Sequence, residues 1–242
     1  MNALKVLLSL SGATLGVALT TTAAGAVSFE LLSDLTDAEF NSPTFGFEQS
    51  VVGESRIGDL GAGEFEIQIL DDVDTPVENA QFVWENGEFY DFELNIDSGD
   101  VTYTVAENTL FEADLVDNFN VLYIRAFANM NLFPDANLEL RDIEVDGVAY
   151  GPTLGPESGD MVEYLKVSDI GLDATLNVTG EAAFFWTGDR PLRSNLAYQL
   201  KVGEEGGGGE EGPTPVPEPA TISFLSLGVL GLAMARTRKR RA

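Results

Sequence analysis

Chemistry in this chain falls to carboxylates, hydroxyls and a few cations, because its 242 residues include no histidine and no cysteine. That composition excludes a thiolate zinc site, a disulfide framework, an imidazole general base and a thiol redox centre. Acidic side chains number 40 against 13 basic ones, a formal charge of −27. Two pairs at i,i+2 spacing, Glu64 with Glu66 and Asp91 with Glu93, could supply the flanking carboxylates of a glycosidase. Both pairs alternate with apolar residues, which predicts solvent-side positions on strands, and the expectation is a protein without catalysis. Asp71, Asp72 and Asp74 with Glu78 and Asn79 form a loop dense in the oxygen ligands that calcium requires, so these four acids are the candidate metal ligands. The Asp-x-Asp-x-Asp-Gly spacing of an EF-hand loop is absent. A solvated acidic loop that blunts edge-to-edge strand pairing is the simpler reading, and no other cofactor is implied.

Trp84, Tyr90, Phe184, Phe185 and Trp186 could stack against the apolar face of a pyranose ring. Large aromatics in alternating strands are more simply core, each burying roughly 150–250 Å². Trp186, beside the Gly188-Asp189-Arg190-Pro191 turn, is the least settled of the five.

The elements that must position these residues read as strands. Gly63–Leu70 alternates, putting Phe65, Ile67 and Ile69 on one face; Gln81–Glu85 and Phe89–Ile96 flank Asn86-Gly87, a preferred two-residue hairpin pair. Val101–Val105, Val121–Phe127 and Asn137–Val145 continue the series, and Asp146-Gly147 turns the last of these into Val148–Tyr150. Leu165–Ile170, Ala174–Thr179, Ala182–Trp186 and Leu196–Val202 complete it. Only Leu31–Phe40 has helical spacing, with Asp34, Asp37 and Glu39 on its polar side. Roughly ten short strands with turn signals between them predict an all-β fold, an antiparallel β-sandwich of jelly-roll type, in a single domain spanning residues 27–202.

Both ends are addresses. Lys5 precedes the apolar run Val6–Leu19, and small residues follow, with Ala24 and Ala26 spaced for signal peptidase. Residues 1–26 therefore read as a secretory signal peptide, with the Sec translocon as partner. Residues 203–215, rich in Gly, Glu and Pro, read as a spacer. Val216-Pro217-Glu218-Pro219 comes next, then the uncharged run Ala220–Ala235, then Arg236-Thr237-Arg238-Lys239-Arg240-Arg241. As a helix the run reaches about 24 Å, a marginal span of the bilayer, and the cations Arg236, Arg238, Lys239, Arg240 and Arg241 stop its transfer on the cytoplasmic side.

Motif, apolar run and basic tail, residues 216–242, together resemble the tripartite PEP-CTERM sorting signal. The resemblance implies recognition by an exosortase, cleavage near Val216–Pro219, transient membrane insertion through the C-terminal helix, and delivery to the cell surface or extracellular matrix. It also implies a Gram-negative, biofilm-forming host. The central segments Gln81–Gly87, Ile124–Ala126, Phe184–Gly188 and Ala197–Val202 resemble a choice-of-anchor domain of the W type, a family that supplies no catalytic residues. Between Val27 and Pro217 there are seven basic and thirty-nine acidic residues, a formal −32. Such a domain repels nucleic acid. The expected role is a structural or adhesive surface or biofilm-matrix protein. The alternative is a carbohydrate-binding module, calcium-dependent or not, for extracellular polysaccharide.

Overall fold

A computed structural model describes residues 27–59, 63–156, 161–171 and 174–206. The signal-peptide positions Ala24 and Ala26, and everything from Val216 to Arg241, lie outside the described residues. In chain order the elements are β1 (Ser28–Leu32), α1 (Asp37–Phe40), β2 (Phe47–Arg56), β3 (Ile67–Leu70), β4 (Pro76–Ala80), β5 (Tyr90–Asp97) and β6 (Asp100–Val105). Then follow β7 (Asn108–Glu112), β8 (Val121–Ala128), β9 (Asn137–Val145), β10 (Val148–Tyr150), β11 (Val162–Ser168), β12 (Thr175–Phe185) and β13 (Leu196–Glu205).

These strands form two sheets in which every pairing is antiparallel, a β-sandwich. One has the order β1-β11-β8-β13-β2-β3-β4 and the other β10-β9-β12-β5-β6-β7. Because side chains alternate across a strand, Leu122, Ile124, Tyr198, Leu200, Ile67 and Ile69 of the first sheet face Leu94, Ile96, Leu138, Leu140, Val178 and Phe184 of the second in one continuous core.

The chain leaves β1 at one edge of the seven-stranded sheet and re-enters as β2 beyond β13, so residues 33–46 must cross the outer face of that sheet. Phe40 anchors the crossing. Its ring stacks on Tyr164 at 4.7 Å and meets Tyr123 edge-on at 5.1 Å, in a second small cluster with Phe45 and Phe47. Thr36 and Glu39 form a reciprocal capping box that starts α1. The helix is one turn within the predicted Leu31–Phe40, whose first two residues belong instead to β1.

Several strand assignments need correction, beginning with Gly63–Leu70, of which only Ile67–Leu70 is strand, as β3. Residues 81–85 are not a strand, because β5 already pairs with β12 on one side and β6 on the other and no free edge remains beside it. The Asn86-Gly87 turn docks on the end of β12, with Gly87 N donating to Phe184 O at 2.8 Å and Asn86 Nδ2 to Trp186 O at 2.7 Å. The Ala174–Thr179 and Ala182–Trp186 segments are one strand, β12, whose register against β9 shifts between Thr179 and Glu181. Gly180 lies in that shift, and a Cβ there would come 2.7 Å from Phe92. Finally, β13 runs on to Glu205, so Gly203–Glu205 sit in the sheet rather than the spacer.

The Asp146-Gly147 hairpin is as expected, both residues having positive φ (49° and 78°) as a type I′ turn requires. A Cβ at Gly203, where β13 and β2 shift register, would lie 2.1 Å from Glu48 O. Backbone cannot yield as a side chain can, so Gly203→Ala costs about 3 kcal/mol, the upper end of overpacking penalties, read as a lowered urea midpoint. An unchanged midpoint would show that the two strands can part there without loss.

Candidate binding groove

The outer face of the seven-stranded sheet carries the polar residues that alternate with its core. On β13 these are Gln199 and Lys201, on β2 Glu54 and Arg56, on β3 Gln68, and on β8 and β11 Arg125 and Tyr164. Together with Asp37 and Asn41 of the crossing segment, and Asp74 and Pro76 at the rim, they line a groove of about 390 Å³. That volume lies within the roughly 300–1,000 Å³ of ligand clefts.

Glu54, Gln68, Tyr164 and Lys201 on its floor are buried, while Asp37, Arg56, Arg125 and Gln199 are half-buried, and buried polar groups need partners. Glu54 accepts from Gln68 Nε2 at 2.8 Å and from Gln199 Nε2 at 2.5 Å, and Arg56 Nε lies 3.3 Å from its Oε1. At the other wall Arg125 Nε donates to Asp37 Oδ1 at 2.7 Å, and the Tyr164 hydroxyl donates to the same oxygen at 2.6 Å. Burial alone would raise the Asp37 carboxyl, but Arg125 and the Tyr164 hydrogen bond outweigh it and hold Asp37 below the usual carboxylate range. Burial and the bond to Asp37 push the Tyr164 phenol well up. Lys201, 6% exposed, is displaced the other way, since burial favours its neutral form.

The Asp37 geometry predicts an acid-sensitive link between α1 and the sheet. A carboxyl whose folded pKa is depressed contributes stability above its unfolded value, 3.8, and loses that contribution as pH falls further toward the folded value. The stability advantage of the native chain over Asp37→Asn should be constant above about pH 5 and shrink below 3.8 in urea melts taken between pH 6 and 3. An advantage that persists undiminished at pH 3 would disprove the link.

Asp74, singled out by sequence as a metal ligand, reaches the groove's rim; the other candidates are elsewhere. Glu66 is fully buried and not on the solvent side, its Oε1 3.7 Å from Arg190 Nη2 and its Oε2 accepting from Phe82 N, because the 81–85 segment and Arg190 cover it. Asp91 and Glu93 are exposed on β5. Asp71 Oδ1 is occupied by Val73 N at 3.0 Å and Thr75 N at 2.7 Å, and Asp74 Oδ1 accepts from Gln49 Nε2 at 3.0 Å. Asp72 sits in the turn and Glu78 on β4; among the described residues no three acidic side chains converge as a metal-holding group. Trp84 and Phe184 are core, Tyr90 and Trp186 pack against it, and Phe185 is half-buried beside Phe89. Sequence reasoning missed the groove itself. Its one legible trace was the alternation of Gln199 and Lys201 with Tyr198, Leu200 and Val202.

β13 ends where the chain departs toward its C-terminus. Glu205 accepts from Lys166 Nζ at 2.6 Å and from the Tyr123 hydroxyl at 2.7 Å, and Gly206 N donates to Gly46 O at 2.8 Å. The segment beyond this clamp carries the deciding comparison. Residues 215–240 match the PEP-CTERM protein-sorting motif. That motif implies a protein that is exported, held transiently at the membrane, processed by exosortase and sorted to the cell surface. No curated protein matches this sequence.

Proposed function

We propose that this PEP-CTERM protein is a non-catalytic, adhesive component of the cell surface or biofilm matrix, and that it holds extracellular polysaccharide in the groove on its seven-stranded sheet. The observation that carries the reading is the groove's lining of planar amide, carboxylate and guanidinium groups, fixed by one another on rigid strands and turned toward an open cleft. Such groups match the paired donors and acceptors of sugar hydroxyls, and rigid backbone beneath them limits the entropy lost on binding. Export starts at the signal peptide, with Ala24 and Ala26 at the cleavage site, and the run Ala220–Ala235 enters the membrane until Arg236–Arg241 stops it. The likeness of the central segments to choice-of-anchor domains fits a surface module of this kind.

The purely structural reading differs in predicting no ligand. Processed protein recovered from the cell exterior should be retained on a column of the producer's own polysaccharide. Gln199→Ala with Arg56→Ala should weaken that retention about tenfold, the effect of losing one or two hydrogen bonds. Retention should survive EDTA, since Asp71 already spends a carboxylate oxygen on its own loop. Passage of the native protein straight through the column would leave only the structural role.

A further inference from the structure

The geometry points to an uncharged, hydroxyl-rich saccharide as the groove's ligand, gripped by its hydroxyl edges through Lys201 and Gln68; this deepens the polysaccharide reading above and rests on it. Three cations (Arg56, Arg125, Lys201) and three carboxylates (Asp37, Glu54, Asp74) line the groove, so its formal charge is zero. Arg125 is committed to Asp37, and Arg56 to Glu54.

Two buried groups are left with capacity to spare. Lys201 Nζ donates to Gln49 Oε1 at 3.2 Å, and no carboxylate oxygen of the described residues lies within ion-pair distance of it. An ammonium has three protons to donate. Gln68, 3% exposed, donates its amide to Glu54, while its Oε1 has no hydrogen-bond partner. A buried acceptor left unmet costs about 1–3 kcal/mol. The groove thus offers an unused donor and an unused acceptor. Sugar hydroxyls can answer each, one accepting from Lys201 and another donating to Gln68, whereas a carboxylate set against Gln68 Oε1 could only accept and would leave it unmet.

Charge adds a second argument against acidic sugars. A uronate would bring an unbalanced negative charge into a neutral groove, on a domain whose formal charge is already −32. Stacking is closed off too. Tyr164 is the one aromatic residue in the lining, and its ring is already stacked on Phe40 at 4.7 Å with its hydroxyl bound to Asp37. The sugar is therefore held through its edges, not its face.

The test is calorimetric titration of the processed protein with neutral hexasaccharides (cello-, malto-, manno- and xylohexaose) and with hexamers of galacturonate and of alginate. At least one neutral hexamer should bind at least about tenfold tighter than either acidic one, and Lys201→Met and Gln68→Met should each weaken that binding about tenfold with melting temperature held. Tighter binding of a uronate hexamer overturns the uncharged ligand. Neutral binding unchanged in both variants overturns the assignment of the two residues while leaving the polysaccharide reading intact. Failure of all six sugars to bind overturns both.

Discussion

Trp84→Ala should lower the unfolding free energy by about 3–5 kcal/mol, a large share of the roughly 5–15 kcal/mol that holds a domain together. The indole is 2% exposed and meets four rings edge-on: Phe184 at 4.6 Å, Phe82 at 4.8 Å, Tyr90 at 5.5 Å and Tyr198 at 6.3 Å. Its neighbours come from both sheets and from the 81–85 loop, so no single element can shift to refill the space. Truncation removes the transfer energy of the ring and leaves a void whose lining loses dispersion contacts. Trp186→Ala is the control. That residue is half-buried at the sandwich margin, and its hydrogen bonds to Asn86 run through backbone atoms that alanine keeps. Its expected cost is about 1 kcal/mol, an ordinary substitution. Urea midpoints measured side by side decide the matter: equal costs would mean that Trp84 is not the central ring of the core.

The fold class was legible because most strands alternate cleanly between a core and a wet face. Asn137–Val145 with its Asp146-Gly147 turn is the clearest case, since local pattern and local turn chemistry point the same way. The failures are non-local. Gln81–Glu85 has the pattern of a strand, but strand formation needs a vacant neighbour, and pairing of β5 with β12 is decided some ninety residues downstream. Phe47–Arg56 hides its period because β2 lies mid-sheet with Val51, Val52 and Gly53 buried on both faces.

The groove was harder still. Glu54, Gln68 and Gln199 lie on three strands that meet only through the sheet order, and Asp37 reaches Arg125 across 88 positions of sequence. Composition could announce an acidic domain but not that three of its seven cations share one cleft. Patterning reports which side of a strand is wet; it carries no information about which wet residues become neighbours.

Substituting Glu218 and Pro219 together by alanine should leave the exported chain uncleaved and held in the inner membrane, an all-or-none change in its distribution. The native protein recovered outside the cell should have an intact mass that ends before the Ala220–Ala235 run, and the variant a mass that includes it through Ala242. Proline fixes its own φ near −65° and disfavours the helical region for the residue before it, so Val216-Pro217-Glu218-Pro219 favours an extended backbone that a protease can bind as a strand. Alanine at both positions removes the acidic side chain and one of those restraints, and raises the intrinsic helix propensity of the motif. The groove is untouched by these changes, so under the proposed polysaccharide reading the variant solubilised from membranes should be retained on the polysaccharide column as strongly as the native protein. Sorting and the proposed binding are then separable: the substitutions alter the C-terminal segment that directs delivery and leave the sheet face and its groove as they are. Recovery of full-length native protein from the membrane, with nothing released, would instead make the C-terminal run a permanent anchor.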